Sequence, residues 1–210
     1  MKRYSKFNLL ASAFLLSLTT QCFSSHCNAE TTTYKLNTDS SLVHWVGEKV
    51  TGSHKGTLSI KSGDVLFDKD KLVGGTFEIA MGTIKNVDIE DPKYNKKLID
   101  HLNSDDFFNT SNFPVATFKI TNTEKLTSDD TSKNNYTISG DMTIKGLTFP
   151  ISFPASVNLN GDKATAKAST KVDRTKFNIR YGSGKFFDNL GDKLIYDEFT
   201  VELDLESQKA

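Results

Sequence analysis

The residues of this chain that are equipped for chemistry are few and widely spaced. Beyond the first 29 positions there are three histidines, His44, His54 and His101. No two sit at the close spacing of a local ligand pair, so a zinc site would require the fold to gather them. Asp105-Asp106 are adjacent carboxylates, the pairing that general acid–base work uses. They also precede Phe107-Phe108, so a polar helix exit followed by two buried anchors reads equally well. The two cysteines, Cys22 and Cys27, lie near the N-terminus. There is no Gly-x-Ser-x-Gly elbow, P-loop, dinucleotide fingerprint or His-Glu-x-x-His helix. The reading is therefore of a protein that is not an enzyme, with no cofactor and no metal. One run is unusual: DRTKFNIRYGSGKFFDNLGDK, residues 173–193, mixes Arg174, Lys176, Arg180 and Lys185 with aromatics and glycines. It suits a mouth that meets an anionic group; it also suits a folded loop in which Arg174 pairs with a carboxylate and Tyr181 packs on the domain.

The N-terminus reads as an export signal. Lys2, Arg3 and Lys6 precede an apolar run at 9–18, too short to span a bilayer as a helix but fitting a signal-peptide core. Cys27-Asn28-Ala29 offers a small-residue cleavage site, giving a signal peptide over 1–29 and a mature domain over 30–210. Lipoprotein processing at Cys22 is the alternative, with Thr20-Gln21 a poor context for it. The whole chain carries 26 basic and 26 acidic residues; losing the three basic residues of the leader leaves 23 basic against 26 acidic. That balance provides no basic field for nucleic acid.

The elements that must position everything else have a period of two. Val43 and Trp45 alternate with His44, and Leu58 and Ile60 with Ser59. Phe77, Ile79 and Met81 share a face, as do Ala116, Phe118 and Ile120, then Ile138, Met142 and Ile144. Phe149, Ile151, Phe153, Ala155, Val157 and Leu159 continue the pattern, and Phe199, Val201, Leu203 and Leu205 close it. These are strands with one buried and one wet face. Lys145-Gly146 suits a two-residue hairpin needing positive φ; Ser62-Gly63 and Asn160-Gly161 read as similar turns. Gly74-Gly75 marks a bulge or a strand start, and the polar stretch at 127–135 reads as a loop between strands. A closed antiparallel barrel leaves no open edges and is the economical all-β answer; a two-sheet sandwich is the alternative. One segment departs from the period. Pro92–Asn103 places Tyr94, Leu98 and Leu102 four apart after Asp91, which predicts a short N-capped amphipathic helix able to cover one barrel end.

On these stretches the chain resembles the YceI family of polyisoprenoid- or lipid-binding proteins. The matching segments are WVGEKVTGSHKGTL from Trp45, LVGGTFEIAMGTI from Leu72, LIDHLNSDDFF from Leu98 and FPVATFKI from Phe113. They continue with YTISGDMTIKGLTFPISFPA from Tyr136 and VDRTKFNIRYGSGKFFDNLGDKLIYDEF from Val172, covering nearly all of the mature chain in order. The resemblance implies a lipocalin-like, extended antiparallel β-barrel with a short helical segment and an apolar internal pocket. It also implies residence in a bacterial periplasm and carriage of a long isoprenoid lipid.

A lipid carrier needs room inside, which should appear as small residues on an inward face. Ala164, Ala166 and Ala168, alternating with Thr165, Lys167 and Ser169, offer it if they point inward. The expected lipid-contacting set is Trp45, Phe77, Ile79, Met81, Phe118, Ile138, Met142, Phe153, Ala164, Ala166 and Ala168. The headgroup candidates are His54, Arg174 and Arg180. The expected partner is an isoprenoid or other apolar lipid, with transient membrane contact and a homodimer both left open. The competing reading is a barrel with a filled core that acts through its surface in partner binding or stress response.

Overall fold

A computed structural model describes residues 31–127 and 133–210. The segment read as a signal peptide, Cys22 within it and the central part of the 127–135 stretch lie outside the described residues. Among the described residues ten strands follow in order: β1 (Thr31–Leu36), β2 (Leu42–Lys49), β3 (Gly52–Asp68), β4 (Lys71–Ala80), β5 (Lys85–Asn86), β6 (Val115–Lys125), β7 (Tyr136–Ile144), β8 (Leu147–Asn160), β9 (Lys163–Asp173) and β10 (Glu198–Lys209). Helix α1 (Pro92–Asn103) lies between β5 and β6.

Antiparallel pairing runs β10-β2-β3-β4-β6-β7-β8-β9, and β9 pairs back onto β10 from Lys163↔Gln208 to Asp173↔Glu198. That return ladder closes an eight-stranded barrel, so the sandwich alternative does not apply. β3 is long enough to serve two partners in succession: its first half pairs with β2 and its second with β1. β1 and β2 are thus one stave with a break at 37–41. Ser41, fully buried, repairs that break by donating its hydroxyl to Glu206 C=O at 3.2 Å and accepting from Glu206 N–H at 3.0 Å.

The local chemistry explains most of the punctuation. Lys145 and Gly146 both take positive φ (50° and 74°), the conformation whose twist matches a two-residue hairpin. The β8–β9 turn is centred one position later than expected, on Gly161-Asp162. The bulge expected at Gly74-Gly75 is seen beside Gly74, as a register shift between Leu66↔Gly74 and Phe67↔Leu72. Ser62-Gly63 is not a turn but lies inside β3 next to another shift, between Ile60 and Ser62. Gly63 is small there because a Cβ would come within 2.8 Å of the Phe77 ring. The signal for a turn and for a close backbone approach is the same residue.

Helix α1 starts where Asp91 accepts from the Lys93 and Tyr94 amides at 2.8 and 3.2 Å. It stops at Ser104, whose N–H and hydroxyl both return to His101 C=O. Its inward face is Leu98, Ile99 and Leu102; Tyr94, expected on that face, is exposed. Asn86 docks the helix onto the barrel. Its amide donates to Lys55 C=O and Asp88, and its oxygen accepts from Ile89 N–H and Asn95.

Gly56 shows how closely that end is fitted. A Cβ there would sit 1.7 Å from Lys85 C=O and 2.7 Å from the Trp45 ring. Gly56→Ala should therefore push β5 off β3 and destabilise the protein by about 1–3 kcal/mol, the usual range for overpacking. Thermal unfolding followed by circular dichroism should show a drop of several degrees. Gly82→Ala, with nothing within 4 Å of its Cβ, should leave the midpoint nearly unchanged.

Candidate functional site: an apolar cavity through the barrel

The inward faces do not fill the barrel. They gather into two buried clusters, one around Trp45, Met81, Phe107 and Phe177 toward the α1 end, the other around Phe67, Leu72, Phe118 and Tyr136 toward the opposite end. Phe77, Met142, Ala166 and Leu203 touch both clusters yet remain only partly buried. In a packed interior such inward-facing side chains would be fully covered. Here they border a cavity of about 190 Å³ that runs between the clusters and is lined almost wholly by apolar groups.

All eleven residues expected to contact lipid line this cavity: Trp45, Phe77, Ile79, Met81, Phe118, Ile138, Met142, Phe153, Ala164, Ala166 and Ala168. The alanine row of β9 does face inward, opposite Ser207, Leu205 and Leu203 of β10. Phe107, Ile179, Ile195 and Phe199 line it too. The first three come from loops, where no strand period could announce them. The filled-core reading is not what the interior shows.

The headgroup candidates separate. His54 lies outside the cavity lining, its Nδ1 2.8 Å from Asp88. Partial burial would raise the Asp88 carboxyl, but bonds from the Lys55 amide, His54 and Asn86 outweigh it and hold the carboxyl below its ordinary range. Arg174 reaches the lining but is buried and committed. It donates to the carbonyls of Tyr196 (3.0 Å), Ile179 (3.1 Å), Tyr181 (2.8 Å) and Ile195 (2.9 Å), with Asp197 at 3.7 Å. Its planar fork serves as the internal frame of the 174–197 segment and leaves no donor set for a ligand. The folded-loop reading of 173–193 is therefore the observed one for Arg174. Tyr181 packs edge-on against His101 and near Phe107. Arg180 is exposed, its guanidinium 4.8 Å from the Phe186 ring centroid.

The remaining candidates for chemistry stay apart. His44 lies on the outer face of β2, and His101 pairs with Asp106 at 3.1 Å. Among the described residues no three His, Cys, Asp or Glu side chains converge on a metal-sized site. Asp105 and Asp106 are exposed while Phe107 is buried, the arrangement of a polar exit before an anchor.

The comparisons with known proteins follow this architecture. The YceI-like domain family model matches residues 34–207, and the chain belongs to that family. Protein YceI of Escherichia coli O17:K52:H18 is 30% identical over 135 residues, 61% of this chain and 65% of the relative. The match thus spans just under two thirds of that relative's length. The crystal structure of BcnA from Burkholderia cenocepacia superposes with a TM-score of 0.62 at 24% identity, covering 81% of this chain and 98% of that one. A polyisoprenoid binding domain from Saccharophagus degradans gives a TM-score of 0.58 at 14% identity, covering 84% and 98%. At those identities the structural likeness is one of fold.

Two outcomes are expected at the 174–197 frame. Arg174→Lys cannot serve four carbonyls, so amide exchange in 178–197 should accelerate while the barrel strands stay protected; uniform loss of protection would contradict the local role. Asp173 accepts from Thr175 and Lys185. Burial would raise its carboxyl, but these bonds outweigh that and hold it below its ordinary 3.8. Its stabilisation is complete above that value and lost as pH falls through the lower folded one. Between about pH 5 and pH 2, Asp173→Asn should therefore lose less thermal stability than the parent.

Proposed function

We propose that this YceI-like protein is a periplasmic binding and carrier protein that holds a long apolar lipid of isoprenoid type inside the barrel. The observation that carries the reading is the apolar cavity ringed at its waist by the part-buried Phe77, Met142, Ala166 and Leu203. The fold it shares with a polyisoprenoid binding domain supports the ligand class. The export signal read at 1–29 supports the periplasm, with a lipid anchor at Cys22 the alternative.

The energetics favour such a ligand. A buried methylene contributes roughly 0.8 kcal/mol, so a five-carbon isoprene unit gains on the order of 3–4 kcal/mol gross. Association and chain ordering remove part of this. A few units bind tightly without polar contacts, and the walls supply almost none. Selectivity then rests on cavity length and on one end contact. Of the three headgroup candidates, Arg180 is the one whose guanidinium is exposed at the α1 end. On the same 174–197 segment Tyr181, Phe186, Phe187 and Tyr196 are exposed, as is Val50, whose N–H donates to Leu194 C=O. That mixture of aromatic and cationic side chains suits brief contact with a membrane surface during loading.

Organic extraction of the purified protein followed by mass spectrometry should yield an isoprenoid-type lipid in near-stoichiometric amount. Ala166→Phe fills the waist from β9 and should lower that occupancy several-fold while the circular dichroism spectrum is retained. An Ala166→Phe protein with parental lipid content would remove the cavity from the account.

A further inference from the structure

The barrel wall is not bonded all the way round. β8 and β9 pair from Asn160↔Lys163 to Ala155↔Ala168, and there the ladder ends. Beyond it β8 continues back to Leu147 and β9 continues on to Asp173 with no pairing between them. The missing bonds have a cause in sequence. Ala155 and Val157 turn their backbone groups toward β7, where Asn135 bonds both. With no register shift along β7–β8, odd-numbered residues of β8 address β7 and even-numbered ones address β9. Pro150 and Pro154 are even, and neither has an N–H to give. On the other lip, even residues such as Arg174 and Asp162 bond β10, which leaves the backbone groups of Ser169 and Lys171 facing the seam.

A second unpaired stretch, between the start of β4 and the end of β6, makes the contrast. There Thr123 donates to Leu72 C=O at 2.7 Å, and Leu72 N–H donates to the Tyr136 hydroxyl at 3.3 Å. The β8–β9 seam has no such stitch among the described residues. Phe149 packs against Phe177 at its top, 5.5 Å between ring centroids, and Ile151, Phe153, Thr170 and Val172 are the inward residues of its two edges below. Those four also line the cavity, so they are both the lips of the seam and the wall of the site.

We infer that this seam is the portal through which an apolar chain enters and leaves the cavity. Parting the lips breaks no strand ladder and turns apolar side chains toward the incoming chain. The seam lies beside the 174–197 segment that carries Phe186 and Phe187, so a chain leaving a membrane meets it side-on. The inference rests on the lipid-carrier reading and specifies its route.

The test joins the lips. Continuing the register from Ala155↔Ala168 sets Ser152 opposite Lys171, and both are exposed. Ser152→Cys with Lys171→Cys, made in the mature domain and joined by a short bismaleimide, should slow uptake of a fluorescent polyprenyl alcohol from anionic vesicles on the order of tenfold or more. The unjoined pair should behave as the parent. A bridge between Asp105→Cys and Lys145→Cys, which lie against each other at the α1 end, should leave the rate unaltered. Parental uptake in the seam-bridged protein overturns the portal, as does slowing by the α1-end bridge alone. No uptake by parent or unjoined variants defeats the carrier reading, and the portal with it. If the cysteine pair does not fold, Thr170→Phe, which plugs the window from one lip, should give the same slowing; a parental rate there also overturns the portal.

Discussion

The ladder between β9 and β10 is the contact on which the rest of the molecule depends. It joins the last strand to the sheet along the whole of β9. Without it the sheet would end in two unpaired edges, and its inner face would need a second layer to cover it. With it the wall covers itself, and most backbone groups of the strands are satisfied whatever lies within. This is why the interior can be left partly empty. Scaled by the cost of engineered core cavities, 190 Å³ of unfilled space disfavours the folded state by on the order of 4–5 kcal/mol. A few isoprene units of bound chain would offset a cost of that size.

The two ends of the wall are finished by different means. At the end away from α1, Asp68–Lys71, with Lys69 at positive φ, and Gly161-Asp162 are tight turns. At the α1 end the connections from β5 to β6 and from β9 to β10 are long, and polar side chains give them shape. Asn86 ties β5 and α1 to β3, while Arg174 gathers four carbonyls of the 179–196 segment. Each spends its hydrogen-bonding capacity on backbone that has no strand partner, which a buried loop requires. The apolar residues those loops contribute, Phe107, Ile179 and Ile195, then sit over the cavity as part of its lining.

What the sequence discloses follows from how local each signal is. Strand periodicity needs only neighbours two apart, so the inward set from Trp45 to Ala168 is readable and does line the cavity. The Asp91 cap and the Lys145-Gly146 hairpin are equally local. Tyr94 shows where a local pattern runs out: spacing four groups it with Leu98 and Leu102, but a narrow contact with the barrel covers only the later turns of the helix. Arg174 shows a different limit. Its charge is visible in the sequence, whereas the carbonyls that consume it arrive from residues 5 to 22 positions away. Ser62-Gly63 fails because a glycine permits both a turn and a close contact, and only the ring of Phe77 decides between them.

The prolines of β8 connect the last two points. A strand with Pro150 and Pro154 on one edge reads as a poor central strand, and an open sheet would place it at the rim. The barrel instead keeps β8 in the wall by bonding its other edge fully to β7 and its far half to β9. Closure and a weak seam are therefore consistent. The ladder at Ala155↔Ala168 holds the barrel shut, and beyond it the edge carrying Pro150 and Pro154 leaves a stretch of wall with no strand pairing. The contrast with the β4–β6 stretch is informative here. The same loss of pairing there is mended by a threonine and a tyrosine, so an unpaired stretch is not left open by necessity in this fold. At β8–β9 the inward side chains of the lips are Ile151, Phe153, Thr170 and Val172, and they face the cavity that any bound chain must reach.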